Sequence, residues 1–308
     1  MGSLPPLIVL GGPTATGKTD LGIRLGEWLI GEGRPATVIS ADSRQVYRGL
    51  DIGTAKVTAT DRVRVPHEGL DLVDPDERFA VSDYVAHATG VLRDVADAEG
   101  VALLVGGTGL YLRAVARGLD LGLLPDDPDV RARLEAEFAA EGLEPLAARL
   151  QATAPTLAKD VHLANPRRVI RALEIAELRG DGPRPRPRGY DAPSTWIGLD
   201  VAAEEHRRWI ATRARAQFDA GLVDEAIALR ERFDPSLPAF SAIGYHEAWA
   251  LADGAISREE AIDQDARRNA SFAKRQRTWF RGEPDVTWLD AGTDPFDQAL
   301  ELVRRVTD

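Results

Sequence analysis

The most constraining feature of this sequence is the run Gly12-Pro13-Thr14-Ala15-Thr16-Gly17-Lys18-Thr19, which fits the pattern G-x-x-x-x-G-K-[ST]. It follows the apolar run Leu7–Leu10 and opens onto a helical pattern. In that context the glycines let backbone N–H groups curl around phosphate oxygens at a helix N-terminus. Lys18 supplies a point charge and Thr19 a hydroxyl for Mg2+. The expectation is a bound di- or triphosphate on Gly12, Pro13, Thr14, Ala15, Thr16, Gly17, Lys18 and Thr19, with Thr19 on the metal.

A loop of this kind needs a strand behind it and a sheet around that strand. Leu7–Leu10, Thr37–Ser40 and Val101–Val105 read as short, continuously apolar strands. A helix is predicted over 82–98, ended by Gly100. Strand–helix alternation with such strands argues for a parallel sheet covered on both faces. From Pro128 to about Arg179 apolar residues recur only at helical spacing. The stretch Gly180–Gly189, rich in Pro and Arg, should be an exposed linker. Strands are predicted again at 195–201 and 286–289, and Ser257–Glu260 matches a capping box opening a helix to about Arg281, with Gly282 as the stop. The fold class expected is α/β, a P-loop NTPase-like parallel sheet flanked by helices. The core would comprise residues 1–120 and 190–308, with an all-helical insertion at 121–189.

In an open parallel sheet, ligands bind beyond the carboxyl ends of the strands. Asp42 lies just past the second strand, and Gly106-Gly107-Thr108-Gly109 just past the third. Both should therefore face the phosphate loop. A carboxylate there can take a proton or hold Mg2+ through water, and Thr108 offers a short hydrogen-bonding side chain.

Composition restricts the chemistry. With no cysteine, disulfides, thiol nucleophiles and thiolate metal sites are excluded. The five histidines show no metal-ligand spacing and read as structural or surface residues, while Trp196, Trp209, Trp249 and Trp279 read as packing. No apolar run is long enough to span a membrane, and the expected location is the cytoplasm. The net charge of −11 argues by itself against a nucleic-acid partner. Yet residues 267–281 hold six basic side chains and no acid, and residues 161–190 hold seven arginines against three acids. Two basic stretches in an acidic chain suggest a localised polyanion site.

Several segments together resemble the bacterial tRNA dimethylallyltransferases, also called tRNA isopentenyltransferases. They are Gly12–Thr19, Ile39–Ser43, Val46–Lys56, Pro66-His67 with Leu70–Pro75, Val105–Tyr111, Asn165–Arg168 through Glu174, Ile243–Tyr245, and Ala273–Gln276 with Thr278-Trp279. The resemblance runs nearly end to end. It implies transfer of a dimethylallyl group from dimethylallyl diphosphate to N6 of the adenosine immediately 3′ of the anticodon, releasing diphosphate. It implies Asp42 as general base, Thr108 as a contact to the same base, and Arg213 as a further cation on the diphosphate, with Mg2+ as cofactor. It places tRNA contacts at Asp42, Ser43, Arg44, Gln45, Thr108, Arg131, Arg167, Arg168, Arg171, Ser241, Gly244, Tyr245, Lys274 and Arg275. The helical insertion would clasp the anticodon stem-loop, and the enzyme would act as a monomer.

The chain departs from the family pattern at two places. Trp209 stands where the family often has the first arginine of Arg-x-x-x-Arg, which leaves Arg213 and Arg215 as rivals for the diphosphate. Ser241 stands where Gln or Arg is more usual. The alternative reading is a small-molecule kinase of the phosphate-loop class using ATP, and a third is a nucleotide-gated RNA-binding protein. Neither explains the later family segments.

Overall fold

A computed structural model describes residues 4–119, 124–183 and 186–307. Six parallel strands form one sheet in the order β3-β2-β4-β1-β5-β6. They are β1 (Leu7–Gly11), β2 (Ala36–Ser40), β3 (His67–Glu68), β4 (Val101–Gly106), β5 (Ser194–Asp200) and β6 (Val286–Asp290). β3 is a two-residue edge strand, too short to leave a periodicity in the sequence.

The central strands β1, β2, β4 and β5 are flanked by helices because their side chains alternate between two apolar faces. Leu7, Val9, Leu104 and Trp196 enter one core with α3 (Val81–Asp97), α4 (Gly109–Ala116), α9 (Ala203–Asp219), α10 (Leu222–Arg232), α11 (Tyr245–Ala252) and α12 (Arg258–Arg281). Ile8, Leu10, Leu103 and Ile197 enter the other, with α1 (Lys18–Gly31) and α13 (Phe296–Thr307). A short α2 (Ala59–Arg64) precedes β3. The capping box at Ser257 and Glu260 opens α12 as expected. It ends at Arg281 with Gly282 as the C-cap, also as expected. Gly282 keeps φ −88°, so it ends the helix without a left-handed turn. Pro284 lies two residues on and disfavours a further turn.

The chain divides into two compact units, Met1–Arg117 with Gly189–Asp308, and Gly118–Arg188. The second contains α5 (Pro128–Glu141), α6 (Leu143–Thr153), α7 (Pro155–Lys159) and α8 (Pro166–Arg179), and no strand among its described residues. α5 and α8 begin alike, with Asp127 or Asn165 as N-cap and proline at the first helical position. Leu134, Leu146, Leu150, Val169 and Leu173 close a core of their own. The expected boundary at 120/121, and Arg184 and Pro185 of the linker, lie outside the described residues. No helix among the described residues is long and apolar enough to cross a membrane.

Candidate active site

Three loops leave the carboxyl ends of β1, β2 and β4 and line a cavity of about 440 Å³. The phosphate loop is held in shape by close approach. Gly12 sits at φ +139°, and a Cβ there would stand 2.4 Å from the Leu199 carbonyl oxygen, so no other residue fits. Pro13 O accepts hydrogen bonds from Thr16 Oγ1 at 2.9 Å and from Lys18 Nζ at 2.5 Å.

Thr14 is gripped from two helices. Its N–H donates to Gln276 Oε1 at 2.8 Å, and its Oγ1 accepts from Arg213 Nη1 at 2.9 Å. His206 Nε2 lies 2.8 Å from Thr14 O, while Arg277 Nη2 lies 3.0 Å from His206 Nδ1. A guanidinium only donates, so Nδ1 must accept and Nε2 must carry the proton given to Thr14 O. Burial pushes the His206 pKa down, in keeping with that neutral tautomer. Gln276 also donates from Nε2 to Gly107 O at 2.9 Å, tying the phosphate loop to the loop after β4.

The opposite wall is the pair of loops after β2 and β4. A Cβ at Gly106 would stand 2.2 Å from Ala41 O, so glycine lets these strand ends touch. Thr108 N–H donates to Ala41 O at 3.0 Å, and Thr108 Oγ1 accepts from Ser43 N–H at 3.0 Å. Asp42 Oδ1 accepts from Arg44 N–H at 2.8 Å, which leaves the carboxylate beside the cavity. Gln45 accepts from Ser40 Oγ at 2.7 Å and donates to Thr54 O at 3.1 Å. Arg44 donates to Pro238 O at 2.9 Å.

The electrostatics of the cavity are unbalanced. Desolvation pushes the Lys18 pKa down to about 7; Arg213 adds to this and Asp42 opposes it. Arg213 is lowered too, again by burial first, with Asp42 and Asp265 opposing. Neither cation makes an ion pair among the described residues, and Arg213 Nε has no hydrogen-bond partner. Two desolvated cations with no carboxylate closed upon them make a place that an anion would stabilise. Arg215, by contrast, pairs with Glu259 at 2.6 Å on the surface. Arg213 lines the cavity and Arg215 does not.

A metal would have to fit this donor set. The oxygen-bearing side chains of Thr19, Ser40 and Asp42 line the cavity. No group of three or more His, Cys, Asp or Glu side chains that could cage an ion occurs among the described residues. Two hydroxyls and one carboxylate suit Mg2+, which keeps waters and takes phosphate oxygens rather than a full protein cage.

Other expected contacts are placed differently. Tyr245 is fully buried, and its hydroxyl donates to Glu225 Oε1 at 2.8 Å. Glu225 also accepts from the N–H groups of Ile52 at 2.7 Å and Gly53 at 3.1 Å. Gly244 is buried, with its N–H on Glu247 Oε2 at 3.0 Å. Both were expected to meet tRNA. Here their polar groups are engaged in the core that joins α10, α11 and the 51–53 loop. Ser241 is exposed, and its hydroxyl donates to Pro238 O at 2.7 Å.

The basic stretches are also less free than their sequence suggests. Arg131 and Arg171 close on the buried Glu174 at 2.7 and 2.8 Å. Arg268 reaches the buried Glu247 at 2.5 Å and Arg277 reaches Asp200 at 2.6 Å. Arg167, Arg168, Lys274 and Arg275 remain exposed without an ion pair among the described residues. Sequence reasoning missed Gln276, His206 and Trp209 as parts of the site. Gln276 and His206 each share a helix face with buried apolar residues, Ala273 and Phe280 for one, Ile210 and Ala214 for the other. A polar residue on an apolar face was the signal. Trp209, expected in packing, lines the cavity one turn before Arg213.

Comparison with known proteins gives a consistent picture. A family model described as IPP transferase matches residues 45–283. The chain is 42% identical to a tRNA dimethylallyltransferase of Roseiflexus sp. (strain RS-1), covering 98% of this chain and 99% of that one. It is 43% identical to the tRNA dimethylallyltransferase of Thermus thermophilus, covering 92% of each. Among solved structures, a full-length tRNA isopentenylpyrophosphate transferase from Bacillus halodurans matches with a TM-score of 0.70 and 38% identity, covering 98% of this chain and 95% of that one.

Proposed function

This chain belongs to the IPP transferase family and is a tRNA prenyltransferase, and from that premise we propose how its own residues perform the transfer. The donor is dimethylallyl diphosphate, and the acceptor is N6 of the adenosine immediately 3′ of the anticodon. One observation carries the assignment of the site: the buried Lys18 and the half-buried Arg213 have no carboxylate partner in the cavity that Asp42 lines.

The diphosphate lies on the N–H groups of the phosphate loop and the N-terminus of α1, against Lys18 and Arg213. Its charge offsets the desolvation that lowers the Lys18 pKa, so Lys18 is fully protonated in the loaded site. Mg2+ would be held by Thr19 and by diphosphate oxygens, with Asp42 in reach through water, and would neutralise leaving-group charge.

The acceptor adenosine leaves the loop stack to enter the cavity. Asp42 accepts a proton from the N6 amine as the N6–C1 bond forms. The C1–O bond to the diphosphate breaks, and its electron pair leaves with diphosphate. Thr108, held by Ser43 and Ala41, orients the base. Arg167 and Arg168 in the helical unit, and Lys274 and Arg275 on α12, supply phosphate contacts. The enzyme works in the cytoplasm as a monomer. The kinase reading rests on the phosphate loop alone and leaves the family match over residues 45–283 unused.

The test is incubation with labelled dimethylallyl diphosphate and unmodified tRNA, followed by nucleoside mass spectrometry. Label in N6-dimethylallyladenosine next to the anticodon is expected. Label absent from RNA, with ATP consumed against a small acceptor, would overturn the reading.

A further inference from the structure

His206 on α9 is 2% exposed and does not line the cavity. It reaches the phosphate loop at the end of a series of contacts that starts on β5. Asp200 closes that strand, and Arg277 on α12 grips its carboxylate, with Nε 3.0 Å from Oδ2 and Nη2 2.6 Å from Oδ1. Asp200 Oδ1 also accepts from Val201 N–H at 2.9 Å. The same Arg277 Nη2 lies 3.0 Å from His206 Nδ1, and His206 Nε2 lies 2.8 Å from Thr14 O. The guanidinium thus selects the ring tautomer, and the ring passes a hydrogen bond to one carbonyl of the loop.

That carbonyl governs the group across its peptide bond. A trans peptide points its C=O and its N–H to opposite sides, and no described peptide bond is cis. With Thr14 O drawn to His206, the Ala15 N–H faces the other way, and Ala15 lines the cavity. Ala15 also holds φ +58°, a left-handed conformation that a residue with a Cβ adopts at a cost. Such a conformation persists where its surroundings fix the neighbouring peptides. Gln276 and Arg213 grip the N–H and the hydroxyl of Thr14. The peptide joining Thr14 to Ala15 is held by His206. We propose that His206 is a positioning residue for the diphosphate, which turns the Ala15 N–H into the anion site by holding Thr14 O. The proposal rests on the placement of diphosphate on the phosphate loop given above.

The charged groups facing His206 are Arg277 from α12, Asp200 from β5 and Lys18 from α1, and burial holds its pKa below the ordinary 6.5. A proton on Nδ1 would set two donors 3.0 Å apart and break the series. The positioning should therefore hold above pH 6.5 and fail in acid below it.

Titration calorimetry of the full chain with inorganic diphosphate and Mg2+ reads the site without tRNA or transfer. Above pH 6.5, His206→Leu should weaken binding about tenfold at unchanged stoichiometry. His206→Gln presents a donor and an acceptor spaced much like the two ring nitrogens, and should bind within about twofold of wild type. The ratio of His206→Gln to wild-type affinity cancels the titration of Lys18 and of diphosphate itself. It should rise as pH falls below 6.5, because only the imidazole titrates. Donor KM in the transfer assay should follow the calorimetry, with kcat changed less. A merely structural role predicts that His206→Leu lowers the melting temperature or the stoichiometry while the folded fraction keeps its affinity, and that result would overturn the proposal. So would a Gln variant as weak as the Leu variant, or a ratio that stays flat in acid. Arg277→Gln removes the charge that opposes protonation of His206, so the acid limb should move to higher pH, and a limb that stays in place counts against the proposal. Wild-type protein that binds no diphosphate refutes the reading of the site itself, whereas binding that ignores His206 refutes this inference alone.

Discussion

Lys18 and Lys56 are both buried lysines, and they are built in opposite ways. Lys56 Nζ meets Asp51 at 2.7 Å and Asp71 at 2.6 Å, and its charge ties the loop after β2 to the loop after β3. Lys18 Nζ meets only a carbonyl oxygen, and its pKa is pushed down to about 7. The same contrast separates Arg213 at the cavity from Arg131 and Arg171 in the helical unit. Those two share the buried Glu174, whereas Arg213 holds only Thr14. A buried cation closed on an acid is a fastener. One left without an acid carries a desolvation cost that only an arriving anion relieves. Abundant charge along the chain therefore marks structure as often as function.

The sharpest way to break this comparison is Lys18→Met. Transfer should fall about 10³-fold, while the melting temperature should hold or rise, because a desolvated cation is removed. The folded pKa of Lys18 lies below its unfolded value of 10.5. Between about 7 and 10.5 the unfolded chain binds the extra proton, so this residue makes stability rise with pH there. Diphosphate binding above pH 7 should accordingly take up a proton, seen by calorimetry in buffers of different ionisation enthalpy. Lys18→Met should show no such uptake.

Glu174→Gln tests the fastened side. It leaves Arg131 and Arg171 facing one another without their acid. The expected loss is about 2 kcal/mol, below that of a fully buried pair because both arginines stay about a third exposed. Chemical denaturation would measure it. Glu174 is held below its ordinary pKa by these arginines against the opposing effect of burial. Its contribution is present above the unfolded carboxylate range and fades as pH falls through the lowered value. A variant as stable as wild type would dissolve the contrast.

Tyr245→Phe removes the hydroxyl from Glu225 and should cost about 1 kcal/mol of stability, with tRNA affinity unchanged in a filter-binding assay. Lost tRNA affinity at full stability would return Tyr245 to the interface. The smallest effect expected is from Arg167→Ala with Arg168→Ala. Removing two phosphate contacts should weaken tRNA binding severalfold and reduce the slope of log affinity against log salt by about 1 to 2.

Much of this was legible along the chain. The phosphate loop, Asp42 and Thr108 each follow a buried strand, and parallel strands necessarily bring their carboxyl ends to one edge. The helical unit showed in the 3.6-residue spacing of Leu134, Leu146, Leu150, Val169 and Leu173 and their neighbours. Other features carried no such mark. Residues 267–281 read as purely basic because Asp200 and Glu247, which neutralise Arg277 and Arg268, lie far away in sequence. Tyr245 looked available because nothing near it in sequence names Glu225 as its partner.

Local pattern thus determined which strands form, which loops follow them and which residues those loops bring to the sheet edge, since backbone geometry and side-chain alternation act over a few residues. Only the tertiary structure decided which charges stay unpaid at the cavity. Pairing and desolvation depend on groups brought together from distant segments, so Lys18 and Arg213 could be told from Lys56 and Arg171 only once the chain had folded.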